Sequence, residues 1–145
     1  MAAGAPLTPR RRAGEPATIR RIAAVVVVAL SVVAGLLVPG QLPGAAGDIT
    51  GDALYAVAVY AGLVALAPRA SSLLVAGIAA AWCVAVELFQ LTGLPEQWGA
   101  AFRPIMLVFG TVFDPRDLVV YVLSVAAAAA IDVVARRRAT RTARS

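Results

Sequence analysis

The chain has 145 residues, of which 61% are hydrophobic, and a mean hydropathy of +0.84. A soluble domain is usually nearer half apolar, and here the apolar residues form four blocks, which indicates a one-domain polytopic membrane protein. The chain has no histidine and one cysteine, Cys83, which excludes an internal disulfide, a histidine general base and a zinc site of cysteine and histidine. We therefore expect no metal and no cofactor.

The net charge of +5 is carried by thirteen basic residues, all of them arginine. Five precede the first apolar block and five follow the last: Arg10, Arg11, Arg12, Arg20, Arg21, Arg136, Arg137, Arg138, Arg141 and Arg144. Because both sets flank apolar blocks, they are more typical of topology determinants than of nucleic-acid binding, and we expect no nucleic-acid partner. The positive-inside rule places both termini in the cytoplasm, which an even number of crossings also requires.

The N-terminal residues 1–18 are rich in alanine, proline, glycine and arginine and are predicted to form a disordered cytoplasmic tail. The first span is predicted over residues 19–38, with Arg20 and Arg21 extending to the headgroup layer. Small residues at Gly44-Ala45-Ala46 resemble a signal-peptide cleavage point. Because the apolar run is longer than a signal core, we expect an uncleaved helix.

The strictly apolar part of the second block is too short to cross the hydrocarbon layer. The second span is therefore predicted over residues 49–67 and includes Asp52. The very short turn at Pro68-Arg69 predicts that the second and third spans are antiparallel neighbours. The third span is predicted over residues 70–91, with Glu87 about one turn inside its boundary.

A loop is predicted over residues 94–102, and the apolar run at 105–113 is too short to cross. Because Pro104 suits a helix start, this run is predicted to be a short interfacial or re-entrant helix. The fourth span is predicted over residues 118–135 and a basic cytoplasmic tail over residues 136–145. The predicted fold class is an all-α membrane protein with four transmembrane helices plus this short helix.

An acidic residue near the end of the fourth span, Asp132, lies four residues before Arg136. Residues at this spacing face each other on a helix, so a local ion pair is predicted between them.

The four crossings bring the start of the second span, the end of the third and the start of the fourth to the extracytoplasmic boundary. Polar groups in a membrane are expected to turn inward and meet. The predicted polar site consists of Asp52, Tyr55, Glu87, Gln90, Arg103 and Asp117.

Glu87 and Gln90 share one helix face because they are three residues apart. A carboxyl group inside a membrane helix needs a partner, and Arg103 or Arg116 is predicted to bind Glu87 through both guanidinium donors. The alternative for Glu87 and Gln90 is a structural role, in which they join helices by hydrogen bonds.

Two acids of the predicted site, Asp52 and Asp117, both precede apolar runs. The favoured interpretation of both is therefore helix N-terminal capping. Capping does not prevent either carboxyl group from also lining the site.

Three segments occur in a characteristic order: Gly51-Asp52-Ala53-Leu54-Tyr55, then Val86-Glu87-Leu88-Phe89-Gln90, then Arg116-Asp117-Leu118. This order resembles the small bacterial membrane proteins grouped as domain of unknown function 2809, over about residues 22–134. The resemblance implies a multi-pass protein of the bacterial cytoplasmic membrane and no particular activity. More distantly, the layout is similar to the VanZ-like family, which carries a Glu-x-x-Gln followed by Arg and Asp. That family is linked to glycopeptide-antibiotic tolerance and the cell envelope.

The sequence leaves several roles open. We expect a non-enzymatic envelope protein whose outward-facing polar site binds a membrane lipid or a lipid-linked envelope precursor. One alternative is a small proton-coupled transporter in which Glu87 titrates. Another is a structural subunit that docks on a membrane-protein partner or a second copy of the chain. An enzyme is least favoured, because the sequence supplies no evident nucleophile, metal site or phosphate loop.

Overall fold

The computed structural model describes residues 15–110 and 112–142, and the regular structure of these residues is helical. The helices are α1 (Glu15–Leu37), α2 (Ala45–Leu66), α3 (Ser72–Gln90), α4 (Leu94–Ala101), α5 (Met106–Phe109) and α6 (Pro115–Thr142). Short 3₁₀ turns at Pro39–Gln41 and Arg103–Ile105 complete the described regular elements.

Helices α1, α2, α3 and α6 are each long and apolar enough to cross a membrane. An α-helix of about 20 apolar residues spans the hydrocarbon layer, because each residue adds about 1.5 Å. The predicted fold class is confirmed: this is an all-α protein with four membrane-spanning helices and shorter helices between the third and the fourth.

Helices α1, α2 and α6 begin earlier than the sequence predicts, whereas α3 lies within its predicted span of residues 70–91. Residues 15–18 of the predicted tail belong to α1, whose first turn contains Pro16, a residue suited to a helix start. The rest of that tail, residues 1–14, lies outside the described residues. α2 begins at Ala45 because alanine favours the helix and Asp48 in the first turn complements the helix dipole.

The last helix also exceeds its predicted span, since α6 continues to Thr142 through most of the predicted basic tail. Alanine and arginine are both good helix formers, and Arg141 in the last turn complements the negative end of the helix dipole.

The segment between α3 and α6 differs from its prediction. The predicted loop at 94–102 is wrong, because α4 occupies most of it. Gly93, in the left-handed conformation, directly precedes α4, and Pro95 and Glu96 both suit the first turn of a new helix. The predicted short helix is present only as α5, which Gly110 ends at a φ of 63°.

Side-chain contacts fix the alternating direction of the four spans. At one end, Arg20 of α1 and Ser72 of α3 both bind Asp132 of α6. We call this the terminal end of the bundle. At the opposite end, the loop end, Asp48 of α2 lies 3.9 Å from Arg116 of α6. Helices α2, α3 and α6 pack on one another, and α1 packs along α2.

Small residues supply much of the core between the spans. Ala56 of α2 and Ala79 and Cys83 of α3 are fully buried, at 0% exposure. Such side chains let helix backbones approach closely, which is how membrane helices gain packing energy. Large apolar side chains point outward instead, as Leu66 and Leu73 do at 79% exposure each, because the hydrocarbon around a membrane protein is as apolar as they are.

The terminal end is fastened by a polar network around Asp132. Arg20 donates to Asp132 from Nε at 3.0 Å and from Nη2 at 2.5 Å, while Tyr60 donates at 2.9 Å and Ser72 at 2.6 Å. The side chains of Arg20 and Asp132 are only 10% and 14% exposed. This carboxylate therefore receives donors from α1, α2 and α3.

This network corrects two sequence predictions. Asp132 does not pair with Arg136, which donates to the carbonyl oxygen of Ala70 and to the Ser72 hydroxyl. Arg20 does not extend to the headgroups, because it binds Asp132 and donates to the carbonyl oxygens of Pro68 and Ala70. The physical reason is that several buried hydrogen-bond donors stabilise a carboxylate inside the bundle more than one partner at the surface does.

Its neighbour Arg21 also turns toward the protein, since its Nε donates to the carbonyl oxygen of Ala65 at 3.0 Å. Arg21 itself is exposed, so its extension to the headgroup layer stays a prediction. The last turn of α2 leaves carbonyl groups without a partner inside the helix, and a nearby guanidinium satisfies one of them.

Removing one partner of the terminal-end pair is expected to destabilise the bundle. Arg20→Gln and Asp132→Asn should each lower the free energy of unfolding by about 1–3 kcal/mol, because a buried polar group loses its partner. Thermal unfolding in detergent measures this, with Arg69→Gln as the control, because Arg69 is an exposed arginine at the same end. If the double variant loses as much unfolding free energy as the two single variants together, a direct pair is contradicted. Directly paired residues give a loss smaller than that sum.

Candidate functional site

Polar side chains from α2, α3 and α6 meet at the loop end. We call Asp52, Glu87, Gln90, Asp117 and Tyr121 the loop-end cluster. The carboxyl group of Asp52 interacts with those of Asp117 and Glu87, and its Oδ1 accepts a long hydrogen bond of 3.4 Å from the Tyr121 hydroxyl. Three acids thus lie together inside the ends of three spanning helices.

Glu87 is the most deeply placed of these acids, at 0% exposure. Its Oε1 accepts a 2.7 Å hydrogen bond from the backbone N–H of Asp114, just before α6. Its Oε2 has no hydrogen-bond partner among the described residues. A buried carboxylate oxygen without a donor is costly, so this atom marks a place where a further donor would be stabilising.

The predicted arginine partner of Glu87 is wrong. Arg116 lies 3.2 Å from Asp114 and 3.5 Å from Asp117, in addition to its weaker approach to Asp48. Arg103 is exposed and forms no ion pair within the described part of the chain. Three carboxylates near the membrane boundary hold Arg116, and a backbone amide reaches Glu87 in its place.

Gln90 binds the connection between α5 and α6. Its Nε2 donates to the carbonyl oxygen of Phe109 at 2.8 Å, whereas its Oε1 has no partner among the described residues. The next residue, Gly110, has a φ of 63°, and a Cβ there would lie 2.4 Å from Gln90 Nε2. This close approach requires glycine both for the backbone conformation and for space.

Tyr55 binds the same connection from α2. Its hydroxyl donates to the carbonyl oxygen of Val108 at 2.7 Å and accepts from the indole N–H of Trp82 at 2.9 Å. Its ring lies 6.0 Å from that of Tyr121, which joins this contact to the loop-end cluster. Tyr55, Glu87 and Gln90 therefore all bind backbone atoms between α5 and α6.

The capping interpretation of Asp52 and Asp117 is wrong. Asp52 lies inside α2, which begins at Ala45, so its carboxyl group is not at a helix start. Asp117 lies within the first turn of α6, and Asp114 occupies the capping place, where its Oδ1 accepts from the backbone N–H of Arg116 at 2.9 Å. Both predicted caps are therefore left facing the other acids of the cluster.

An aromatic group attaches the short helices to α3. The ring of Phe89 lies 5.5 Å from Trp98 of α4 and 5.6 Å from Phe109 of α5, and Trp82 lies 6.5 Å from Phe109. Aromatic pairs at these separations add to the stability gained by burial. The sequence does not indicate this group, because Trp98 falls in the predicted loop at 94–102.

An apolar groove of about 400 Å³ begins beside the cluster and runs along α2 and α3. Its lining residues are Tyr55, Val59, Gly62, Leu63, Leu66, Ile78, Trp82 and Val108. Tyr55 is the link between the two sites, because it lines the groove and also packs against Tyr121 of the loop-end cluster. The groove lies within the spanning segments and opens beside exposed side chains such as Leu66 and Ile78.

The structure brings together five of the six predicted site residues: Asp52, Tyr55, Glu87, Gln90 and Asp117. Arg103 lies in a separate 3₁₀ turn at the same end. Sequence reasoning did not include Gly110, Asp114 or Trp82 in the site. Gly110 follows a short apolar run and Asp114 precedes Pro115, and both patterns indicate a turn. Such patterns do not show that the turn contacts α3.

The acids of the cluster do not form a metal centre in the described part of the chain. No group of three histidine, cysteine, aspartate or glutamate side chains there is placed to hold a metal ion. What the cluster offers is a set of buried hydrogen-bond acceptors.

Fold and site together define a polytopic helical membrane protein with a buried, acceptor-rich polar cluster at one end of its bundle. The family model described as "Protein of unknown function (DUF2809)" matches residues 41–125, more than half of the chain. The chain belongs to this family. The matched region runs from the start of α2 into α6 and so contains the loop-end cluster. Neither the curated proteins nor the solved structures gave a match.

The Gly110 contact can be tested by adding one methyl group. Gly110→Ala should lower the midpoint of thermal unfolding and increase protease cleavage near α5, because the Cβ displaces the Gln90 amide and strains the backbone. Gly40→Ala is the matched control, since Gly40 lies in a loop-end turn with nothing within 4 Å of its Cβ. Equal behaviour of the two variants would contradict the close contact.

Proposed function

We propose that this protein is a non-enzymatic lipid-binding protein, in which the apolar groove holds an acyl chain and the loop-end cluster binds the polar part of the same molecule. The observation that carries this proposal is the fully buried Glu87, whose Oε2 lacks a partner among the described residues. It lies at the end of the bundle where the groove reaches Tyr55.

The groove suits an acyl chain because of its position and its lining. It lies between two spanning helices, so it faces the hydrocarbon layer, and its lining is apolar except where Tyr55 and Trp82 meet. Tyrosine and tryptophan favour the depth where hydrocarbon meets headgroups. Gly62 leaves the groove open, since nothing lies within 4 Å of a Cβ built on it.

The loop-end cluster suits a polar group that donates hydrogen bonds. Asp52 Oδ2, Glu87 Oε2 and Gln90 Oε1 are buried acceptors without a hydrogen-bond partner among the described residues. Leaving such an atom unsatisfied costs about 1–3 kcal/mol, so a bound donor would recover part of that cost. Because the groove adjoins the cluster at Tyr55, one amphipathic molecule can satisfy both.

The residues packed between the loop-end cluster and Asp132 favour lipid binding over proton-coupled transport as the function of this protein. Ala56, Ala79 and Cys83 fill that layer at 0% exposure. Among the described residues, these small apolar side chains separate the loop-end cluster from Asp132, whereas proton pathways in membranes use chains of polar groups.

We further propose that the loop end faces the extracytoplasmic side of a bacterial cytoplasmic membrane, where envelope precursors are used. Support comes from the arginines, because Arg20, Arg21 and Arg69 all lie at the terminal end. In intact cells, a cysteine at exposed Glu96 should react with a membrane-impermeant thiol reagent, and one at exposed Arg138 only after permeabilisation. The reverse pattern would contradict this orientation; native Cys83 is buried.

Filling the groove tests the lipid-binding proposal. Gly62→Leu should lower the amount of co-purified lipid several-fold, because the new side chain occupies the acyl-chain path without meeting protein atoms within 4 Å of its Cβ. Native mass spectrometry of protein extracted in mild detergent measures the retained lipid. Gly77→Leu is the control, since Gly77 is also an open glycine of a spanning helix but does not line the groove.

Equal lipid retention by the two leucine variants and the wild-type protein would overturn the groove assignment. Both substitutions replace a glycine inside a helix with a better helix former, so neither is expected to lower stability. Any difference between the two variants therefore reports on the groove.

A further inference from the structure

Resting on the lipid-binding function proposed above, we infer that the group bound at the loop-end cluster is a protonated primary amine, as in an aminophospholipid headgroup. The juxtaposition that leads to this class of ligand is two acids, Asp52 and Glu87, and the amide of Gln90, each with one buried oxygen that has no hydrogen-bond partner among the described residues.

The acidic side chains of the cluster favour a cationic ligand. Asp52, Glu87 and Asp117 interact with one another inside the bundle ends. The nearest described cation is Arg116, and it faces Asp117 together with Asp114 and, more distantly, Asp48. No described arginine, including the exposed Arg103 at the same end, forms an ion pair with Asp52 or Glu87. A phosphate or carboxylate ligand would find no unpaired cation among these side chains, whereas a bound cation would stabilise the ionised form of Asp52 and Glu87.

The hydrogen-bonding pattern is the second and independent step. Gln90 is uncharged and 7% exposed, its amide N–H₂ is used by Phe109, and its carbonyl Oε1 is open among the described residues. A carbonyl oxygen without a partner can accept a hydrogen bond from a donor but cannot bind an anion. Glu87 Oε2 and Asp52 Oδ2 add two further open acceptors.

A primary ammonium group matches these acceptors because it has three N–H donors and no acceptor. A quaternary ammonium carries the same charge but has no N–H to donate. A sugar or glycerol hydroxyl donates but carries no charge. These three chemistries give different outcomes in one binding experiment.

The position of the cluster agrees with a headgroup ligand. Glu87 lies in the last turn of α3, which ends at Gln90, so it is within about one helical turn of the membrane boundary, where headgroups lie. The acyl chain of the same molecule would then follow the groove from Tyr55 toward Leu66. One lipid molecule can therefore occupy both sites without crossing the packed core.

The test compares headgroups on identical acyl chains. The purified full-length chain is placed in vesicles containing equal parts of phosphatidylethanolamine, phosphatidylcholine and phosphatidylglycerol, then released into mild detergent for native mass spectrometry. We expect phosphatidylethanolamine to be retained about tenfold over phosphatidylglycerol, which corresponds to a difference of about 1.4 kcal/mol in binding free energy. Phosphatidylcholine should be retained less than phosphatidylethanolamine, because it lacks N–H donors.

Two conservative variants link that preference to the cluster. Glu87→Gln keeps an oxygen for the Asp114 amide and removes the charge, and Asp52→Asn does the same within α2. Each should reduce the preference for phosphatidylethanolamine to near equality, while Glu96→Gln should not, because Glu96 is an exposed acid at the same end. If Glu87→Gln fails to fold, Asp52→Asn and the wild-type headgroup comparison still decide the matter.

The outcomes separate this inference from the function on which it rests. Equal retention of all three lipids by the wild-type protein would overturn the amine assignment and leave lipid binding intact. Preference for phosphatidylglycerol would overturn it in the same way. Absence of any retained lipid would overturn the proposed function itself. Preference for phosphatidylethanolamine that survives both cluster variants would place the amine elsewhere and so contradict the inference.

Discussion

A carboxyl group inside a membrane-spanning helix has to find hydrogen-bond donors in the protein, because the hydrocarbon around it offers none. This chain meets that constraint in two ways. Asp132 at the terminal end receives donors from Arg20, Tyr60 and Ser72, and both its oxygens are used. Glu87 at the loop end receives one donor, the Asp114 amide, and its second oxygen stays open among the described residues. The network around Asp132 joins the helices, whereas the unpaired oxygen of Glu87 can still accept a hydrogen bond from a ligand.

The same constraint explains the irregular backbone between α3 and α6. Carbonyl groups at membrane depth need partners just as carboxylates do, and Tyr55 and Gln90 supply them to Val108 and Phe109. Glycine at 110 lets the backbone approach the Gln90 amide. The loop-end side chains therefore hold the connection to α6 and, with their remaining acceptors, face one another beneath it. Holding the connection uses one atom of each side chain, so a binding role and a structural role do not exclude each other in Glu87 and Gln90.

Apolar block lengths and arginine placement predict the four spans because both depend only on the thickness of the hydrocarbon layer and on charge. Contacts distant in sequence are a different matter. The sequence predicts that Asp132 pairs with Arg136, four residues away, whereas its partner Arg20 lies 112 residues earlier. The partner of Glu87 is a backbone amide, which every residue except proline possesses and which therefore leaves no trace in the sequence. The apolar run predicts a helix start at Asp52, whereas α2 begins earlier, at Ala45.

Photo-crosslinking from the groove tests most directly whether one lipid occupies both the groove and the cluster. A photoreactive residue would replace Leu66, which lines the groove, or Leu73, which does not; both are 79% exposed. In vesicles where the amine-bearing lipid is the minor component, adducts from position 66 should be enriched in that lipid, while those from position 73 should follow the bulk composition. The same lipid mixture at both positions would contradict a headgroup-selective site joined to the groove.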